Sequence, residues 1–327
     1  MTQSLRLLQP GCIALLVFGR AIVACAGAPV PAAASPACHQ VPGLGEILAS
    51  HDVVLVGEMH GTVESPGFLS STACLAVQSG RSVTVALEVP NEEDARLQRY
   101  LVSPGSAADR AALLAGAFWQ SSYQDGRRSG AMLGLLDALR RLRGGGAPLR
   151  VTLIDAIPEP PLTGPARDRA MATRLEKAMA AAPKDLFLVL TGNIHSRIGR
   201  GTPWEKGYEP MGFVLSRLAP GSRLAALDVQ YTGGTAWFCL GEQAATCAAH
   251  EVRGNAPPAA PPVTQLAHAS PEGYNGFYFV GRLTASPPAA GLADDASPDA
   301  RIAPRSDSGV HLRRAQAAMR RGYPIEN

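Results

Sequence analysis

Four apolar runs in this chain each end on a polar group able to do chemistry: VVLVG on Glu58 and His60, VTVAL on Glu88, VTLI on Asp155, and LFLVLTGN on His195. Two imidazoles and three carboxylates can work in either of two ways. As mixed nitrogen and oxygen donors, His60, His195, Glu58 and Glu88 suit Zn, Mn or Fe. Without metal, a His takes a proton from water, a carboxylate holds the imidazolium, and an Arg meets developing negative charge. A His serves either purpose only when its second nitrogen is held, and Glu64, four residues after His60, is placed to orient that ring or to cap the next helix. His195 closes a second polar cluster, Thr191-Gly192-Asn193-Ile194-His195, with Arg197 just beyond. The plain alternatives are a solvated charge or helix cap for Asp155 and a hydrogen-bonded structural role for either His. The other five His residues fall in loop or tail contexts and are set aside.

The runs that carry these groups are rich in β-branched residues and too short for helices, as expected of strands buried on both faces of a parallel sheet. In open α/β sheets the ligand crevice lies beyond the carboxyl ends of the strands, so four strands would deliver these groups to one rim. The expected fold is therefore α/β, with a mainly parallel sheet flanked by helices and a helical insertion at about 101–145. Pro66 is placed to open a helix carrying Phe68, Leu69, Ala73 and Ala76, and Asn91 is placed as an N-cap. The insertion combines a short Ala/Leu helix, the aromatic segment Phe118-Trp119 to Tyr123, and a Leu-rich helix ended by three glycines. The aromatic segment is the part expected to wall or cover the crevice. In the helix of Met171, Leu175, Ala178 and Met179, Arg167 and Asp168 precede the apolar stripe at i−4 and i−3 from Met171. That spacing extends the buried face toward the strand tips.

The chain has 327 residues, is 46% hydrophobic and has a formal charge of +3, a composition that excludes disordered and fibrous classes. Residues 1–26 read as an export signal, with Arg6, an apolar stretch and Ala24-Cys25-Ala26. Removing it removes Arg6 and Arg20 and leaves 28 basic against 27 acidic residues; near-neutrality argues against a nucleic-acid partner. Ile22-Val23-Ala24-Cys25 also looks like a lipobox, which would acylate Cys25 and attach the protein to a membrane. Residues 27–40 read as a Pro/Ala-rich tether, 41–288 as the folded domain and 289–327 as a low-complexity tail. Four cysteines remain, and an even number in an exported chain points to disulfides. Cys239 and Cys247 are close enough to clamp a hairpin, leaving Cys38 for Cys74.

A G-x-S-x-G elbow, an H-E-x-x-H helix, a P-loop and a dinucleotide glycine fingerprint are all absent from the sequence. GEMHGTVESP, ALEVP, RDRAMA and TGNIH together resemble the superfamily that unites erythromycin-esterase-type hydrolases, ChaN-type haem-binding lipoproteins and TraB/Tiki proteins, over residues 45–288. The resemblance implies a site formed by Glu58, His60, Glu64, Glu88 and His195 with Arg167 and Asp168 close by; Asp155 and Asn193 join it as supporting residues. It also implies two kinds of function. One is an exported hydrolase, in the periplasm or secreted, acting on an ester, lactone or amide bond of a small molecule or peptide, with or without a divalent metal. The other is a lipid-anchored carrier of haem or iron.

Overall fold

The computed structural model describes residues 38–156, 162, 164–241 and 243–292. The expected signal, most of the tether, Cys25 and the tail beyond 292 lie outside the described residues. After α1 (Leu44–Ser50), β1 (Val53–Glu58), α2 (Glu64–Gln78) and β2 (Val83–Pro90) alternate as the pattern requires. Three helices follow, α3 (Asp94–Leu101), α4 (Ala107–Leu114) and α5 (Gly130–Gly144), before β3 (Leu149–Asp155), α6 (Gly164–Ala181), β4 (Leu186–Gly192) and α7 (Met211–Leu218). The chain then runs through β5 (Leu224–Gln230), β6 (Gly233–Cys239), β7 (Cys247–Arg253), β8 (Val263–Gln265) and β9 (Gly276–Phe279).

Seven strands form one sheet in the order β3-β2-β4-β1-β5-β9-β8, parallel except for β8, while β6 and β7 pair as a separate antiparallel ribbon. Every residue of β1, β2 and β4 is buried, because helices cover both faces. The two-residue period splits their apolar side chains between two cores. Val54, Val56, Val85, Leu87, Leu188 and Leu190 meet Phe68, Leu69, Met132 and Leu135 of α2 and α5. Val53, Leu55, Ala86, Phe187 and Val189 meet Met171, Leu175, Met211 and Leu215 of α6 and α7. Glu88 has the parity of Ala86, so it emerges on the side of α6.

Several local expectations are corrected. The second helix begins at Glu64, two residues ahead of Pro66. Asn91 opens a 3-10 turn rather than capping α3, whose N-cap is Glu93 without a side-chain bond. Glu93 is buried and accepts from the Phe118 amide at 2.9 Å instead. Phe118 and Trp119 are each 1% exposed and belong to the core, so these two rings pack inside rather than over the crevice. The fold also continues past Pro288: Ala289 is fully buried and its amide donates to the Arg128 carbonyl at 2.8 Å.

Both expected disulfides are present. Cys38–Cys74 ties the start of the domain to α2, and Cys239–Cys247 closes the β6–β7 ribbon. Two disulfides fit an oxidising compartment.

Candidate active site

The tips of four adjacent strands, β3-β2-β4-β1, converge on one buried polar cluster. Glu88 is its centre. Its Oε2 accepts the Gly192 amide at 2.8 Å, and its Oε1 accepts Arg167 Nη2 at 2.7 Å and Arg127 Nη1 at 3.4 Å. The Nε2 atoms of both imidazoles flank it, His60 3.6 Å from Oε2 and His195 3.7 Å from Oε1. Burial opposes ionisation of Glu88, but His195, Arg167, His60 and Arg127 together hold it well below the usual carboxylate range. Gly192 is needed where it stands, since a Cβ there would lie 2.8 Å from His60 Nε2.

Each imidazole has its own carboxylate. His60 Nδ1 donates to Glu58 Oε1 at 2.7 Å, and His195 Nδ1 donates to Asp168 Oδ1 at 2.8 Å. The partner of each Nδ1 is an acceptor, which fixes the proton on that nitrogen. The two Nε2 atoms then differ. His195 Nε2 accepts from Arg167 Nη1 at 3.1 Å, whereas His60 Nε2 makes no hydrogen bond among the described residues and lies beside the Glu88 carboxylate. Burial lowers the basicity of His60, and Glu88 and Glu58 overcome it, leaving the ring above its ordinary pKa of 6.5. Both His side chains are 16% exposed while Glu58 and Glu88 are 3% exposed, so the rings are what a bound molecule would meet first.

Asp155 holds Arg167 through Nε at 3.1 Å and Nη2 at 2.7 Å and also accepts Arg127 Nη1 at 3.3 Å; it is neither solvated nor a helix cap. Arg167 is left with one Nη1 hydrogen not committed to Glu88, Asp155 or His195. Glu64, by contrast, does not reach His60. It accepts the Thr284 amide at 3.1 Å, and burial raises its pKa; Glu58 takes the orienting place proposed for it. Asn193 braces the rim through its backbone, its amide donating to the Glu58 carbonyl at 3.0 Å and its carbonyl accepting Tyr274 Oη at 2.6 Å. Arg197 stacks over Tyr274, 5.5 Å from the ring centre.

Sequence reasoning missed Arg127 and its partner Asp125. Arg127 donates to Asp125 Oδ2 through Nε at 3.0 Å and Nη2 at 2.8 Å, and Arg128 binds the other oxygen at 2.7 Å. The available signal was Asp125-Gly126-Arg127-Arg128, a charged cluster in the insertion between two strands with polar tips. Its position depends on the ribbon: the Trp237 amide donates to the Gly61 carbonyl at 2.9 Å and the indole to the Gln124 carbonyl at 3.0 Å. Gly61 has φ +70° and Gly126 φ +95°, and a Cβ on either would strike the Trp237 carbonyl. These glycines seat the ribbon.

The donor set does not fit a divalent metal. Glu88, the carboxylate both Nε2 atoms could share, is filled by two guanidinium groups and an amide, and those cations would repel a metal ion placed between the rings. Among the described residues no group of three or more His, Cys, Asp or Glu is disposed to hold one. Haem fits no better: an axial ligand needs an Nε2 open to an apolar slot, and both Nε2 atoms face the Glu88–Arg167 cluster.

Asp228, in β5 beside Gly57, adds a titration of its own. Burial pushes its carboxyl up to about 7 from 3.8, against the Val229 amide, Asn193 and Arg197. An acid raised in the fold stabilises fully below its unfolded pKa, and that contribution is lost as pH rises through the folded value. Asp228→Asn is therefore expected to flatten the decline in stability between pH 5 and pH 8.5 by about 2–4 kcal/mol. Denaturant unfolding at both pH values measures it, and equal slopes in the two proteins would refute it.

No protein-family model and no curated protein matches the chain. Among solved structures, an erythromycin esterase variant in its open conformation superposes with TM-score 0.59 at 12% identity, over 74% of this chain and 93% of that one. Weaker likenesses are to ChaN of Campylobacter jejuni with cofacially bound haem (TM-score 0.37, 13% identity, 57% and 84% of the two chains) and to a Bacillus cereus protein (0.48, 11%, 75% and 92%). The fold implied by the sequence resemblance is the fold observed: this chain carries the mainly parallel α/β architecture of an erythromycin esterase.

Proposed function

We propose that the protein is an exported hydrolase in which His60 activates water for attack on an ester, lactone or amide carbonyl. One observation carries the reading: His60 has its Nδ1 proton tied to Glu58, its side chain is 16% exposed, and among the described residues its Nε2 meets no hydrogen-bond donor. A water at Nε2 would lose its proton to the ring, and the imidazolium so formed would lie between Glu58 and Glu88. The uncommitted Arg167 N–H supplies positive charge for the tetrahedral oxyanion. The protonated ring then returns its proton to the leaving oxygen or nitrogen. His195 accepts from Arg167 and so aims that guanidinium, which divides the work between the two imidazoles.

The substrate in this reading is a small molecule or peptide, the chemistry is metal-free, and the disulfides suit the periplasm or the exterior. The alternative of a lipid-anchored haem or iron carrier draws no support from the polar surroundings of both Nε2 atoms. The test is turnover of a panel of esters, lactones and amides by chelator-treated protein beside its His60→Ala variant. Hydrolysis by the first and not the second supports the reading. A panel untouched by wild-type protein, together with a Soret band on adding hemin, would replace it with the carrier.

A further inference from the structure

Asp168 is fully buried and its carboxylate receives three donors. His195 Nδ1 and the Met211 amide share Oδ1 at 2.8 and 2.6 Å, while among the described residues Oδ2 is held by Tyr208 Oη alone, at 2.6 Å. Tyr208 stands at the foot of a tight loop in which the Gly201 amide donates to its carbonyl at 2.8 Å and Thr202 and Glu205 close the turn. Just beyond, the Gly212 amide donates to the His195 carbonyl at 2.8 Å, and a Cβ on Gly212 would lie 2.8 Å from the Ser196 and Arg197 carbonyls. The segment 196–212 thus folds back on both the backbone of His195 and the carboxylate beside its ring. We propose that Tyr208 is a positioning residue which, through Asp168, holds His195 in its Nδ1–H tautomer and so presents Nε2 to Arg167 as an acceptor.

The two oxygens of Asp168 explain why a hydroxyl is needed where a phenyl ring would fill the space. Without it, Oδ2 would be a buried carboxylate oxygen with no donor, an expensive state that the group relieves by rotating. Rotation takes Oδ1 off the line to Nδ1. With Nδ1 no longer held, the Nε2–H tautomer gains population, and Nε2–H confronts Arg167 Nη1, which can only donate. Burial and the Asp168 charge push the Tyr208 phenol above its ordinary range, so it stays a donor. Arg167 is then the group that shifts, and with it the N–H left for the oxyanion.

The consequence for turnover rests on the hydrolytic reading; the tautomer does not. The experiment is a long-range proton–nitrogen correlation spectrum of full-length protein labelled in histidine nitrogen, with His195 assigned by its loss in His195→Gln. Wild-type protein is expected to show Nδ1 protonated and Nε2 bare. In Tyr208→Phe the Nε2–H form should rise, and kcat on any substrate found should fall roughly 10- to 100-fold with KM changed less than twofold. 4-Aminophenylalanine at position 208 restores a donor and should restore the wild-type spectrum. An unchanged His195 signature in Tyr208→Phe overturns the proposal, as does Nε2–H in wild-type protein. If Tyr208→Phe does not fold, the aminophenylalanine protein decides: it must fold with the wild-type signature, and otherwise the proposal fails. Absence of turnover in wild-type protein would count against the hydrolytic reading and leave the tautomer result standing.

Discussion

Replacing His60 by alanine is expected to lower kcat/KM by about 10²–10⁴-fold, the range over which a positioned general base contributes. The same change should leave the fold intact, because it removes one partly exposed ring and leaves Glu88 held by Arg167, Arg127 and the Gly192 amide. Glu58 loses its partner, but the space vacated by the partly exposed ring lets water reach it. Added imidazole should recover part of the lost rate, since it can occupy that space and take the same proton. Steady-state kinetics with and without imidazole, beside a thermal melt, checks all three statements. A variant retaining more than half of the wild-type rate would remove His60 from the mechanism.

The largest effect on stability is expected from Arg127→Ala. Arg127 touches Asp125, Glu88 and Asp155 at once, and all three carboxylates are at least 94% buried. Removing one partner of a buried charge network costs about 3–5 kcal/mol, because charges are left behind without compensation. The loss should depend on pH in a definite direction. Asp125 is held at about 2 by Arg127 and Arg128 against burial, and Glu88 lies well below 4.5. Depressed acids stabilise fully above their unfolded pKa values, and that contribution disappears as pH falls through the folded ones. The difference between wild-type and variant protein should therefore be complete at pH 7 and should shrink as pH falls below about 4. Denaturant unfolding at pH 7 and pH 3 gives both numbers; a difference under about 1 kcal/mol at pH 7 would contradict the network.

Much of the architecture could be read directly because the buried strands announce themselves. Val53 to Val56, Val83 to Leu87 and Leu186 to Leu190 have no polar face to disguise their period, and rules for parallel sheets then bring their tips together. Arg167 and Asp168 were legible for a related reason: charges in line with an apolar helical stripe must enter the interior, and a buried charge needs a partner. Arg127 was not legible. It lies in a loop whose path is fixed by the Trp237 carbonyl against Gly61 and Gly126, a contact between segments more than a hundred residues apart. Glu64 failed for a local reason, since spacing of four residues suggests a neighbour on a helix, whereas His60 precedes α2 and its ring turns back to Glu58. Phe118 and Trp119 look like cover in the sequence because a polar loop follows them; only the depth of the core between α3 and α5 shows why they go inside. Tyr208 carries no sequence signal at all, being one aromatic in a polar loop, and its meaning comes from the carboxylate it reaches.

The most direct test of the central claim is the pH dependence of kcat/KM for a hydrolysed ester or lactone, measured on chelator-treated protein. Metal-free activation of water by His60 predicts full activity after chelation, rising with pH through an ionisation above 6.5, the ordinary value from which Glu88 and Glu58 raise His60 against burial. Turnover that vanishes with the chelator and returns only with added Zn, Mn or Fe would contradict it, as would a rate that does not change across that ionisation.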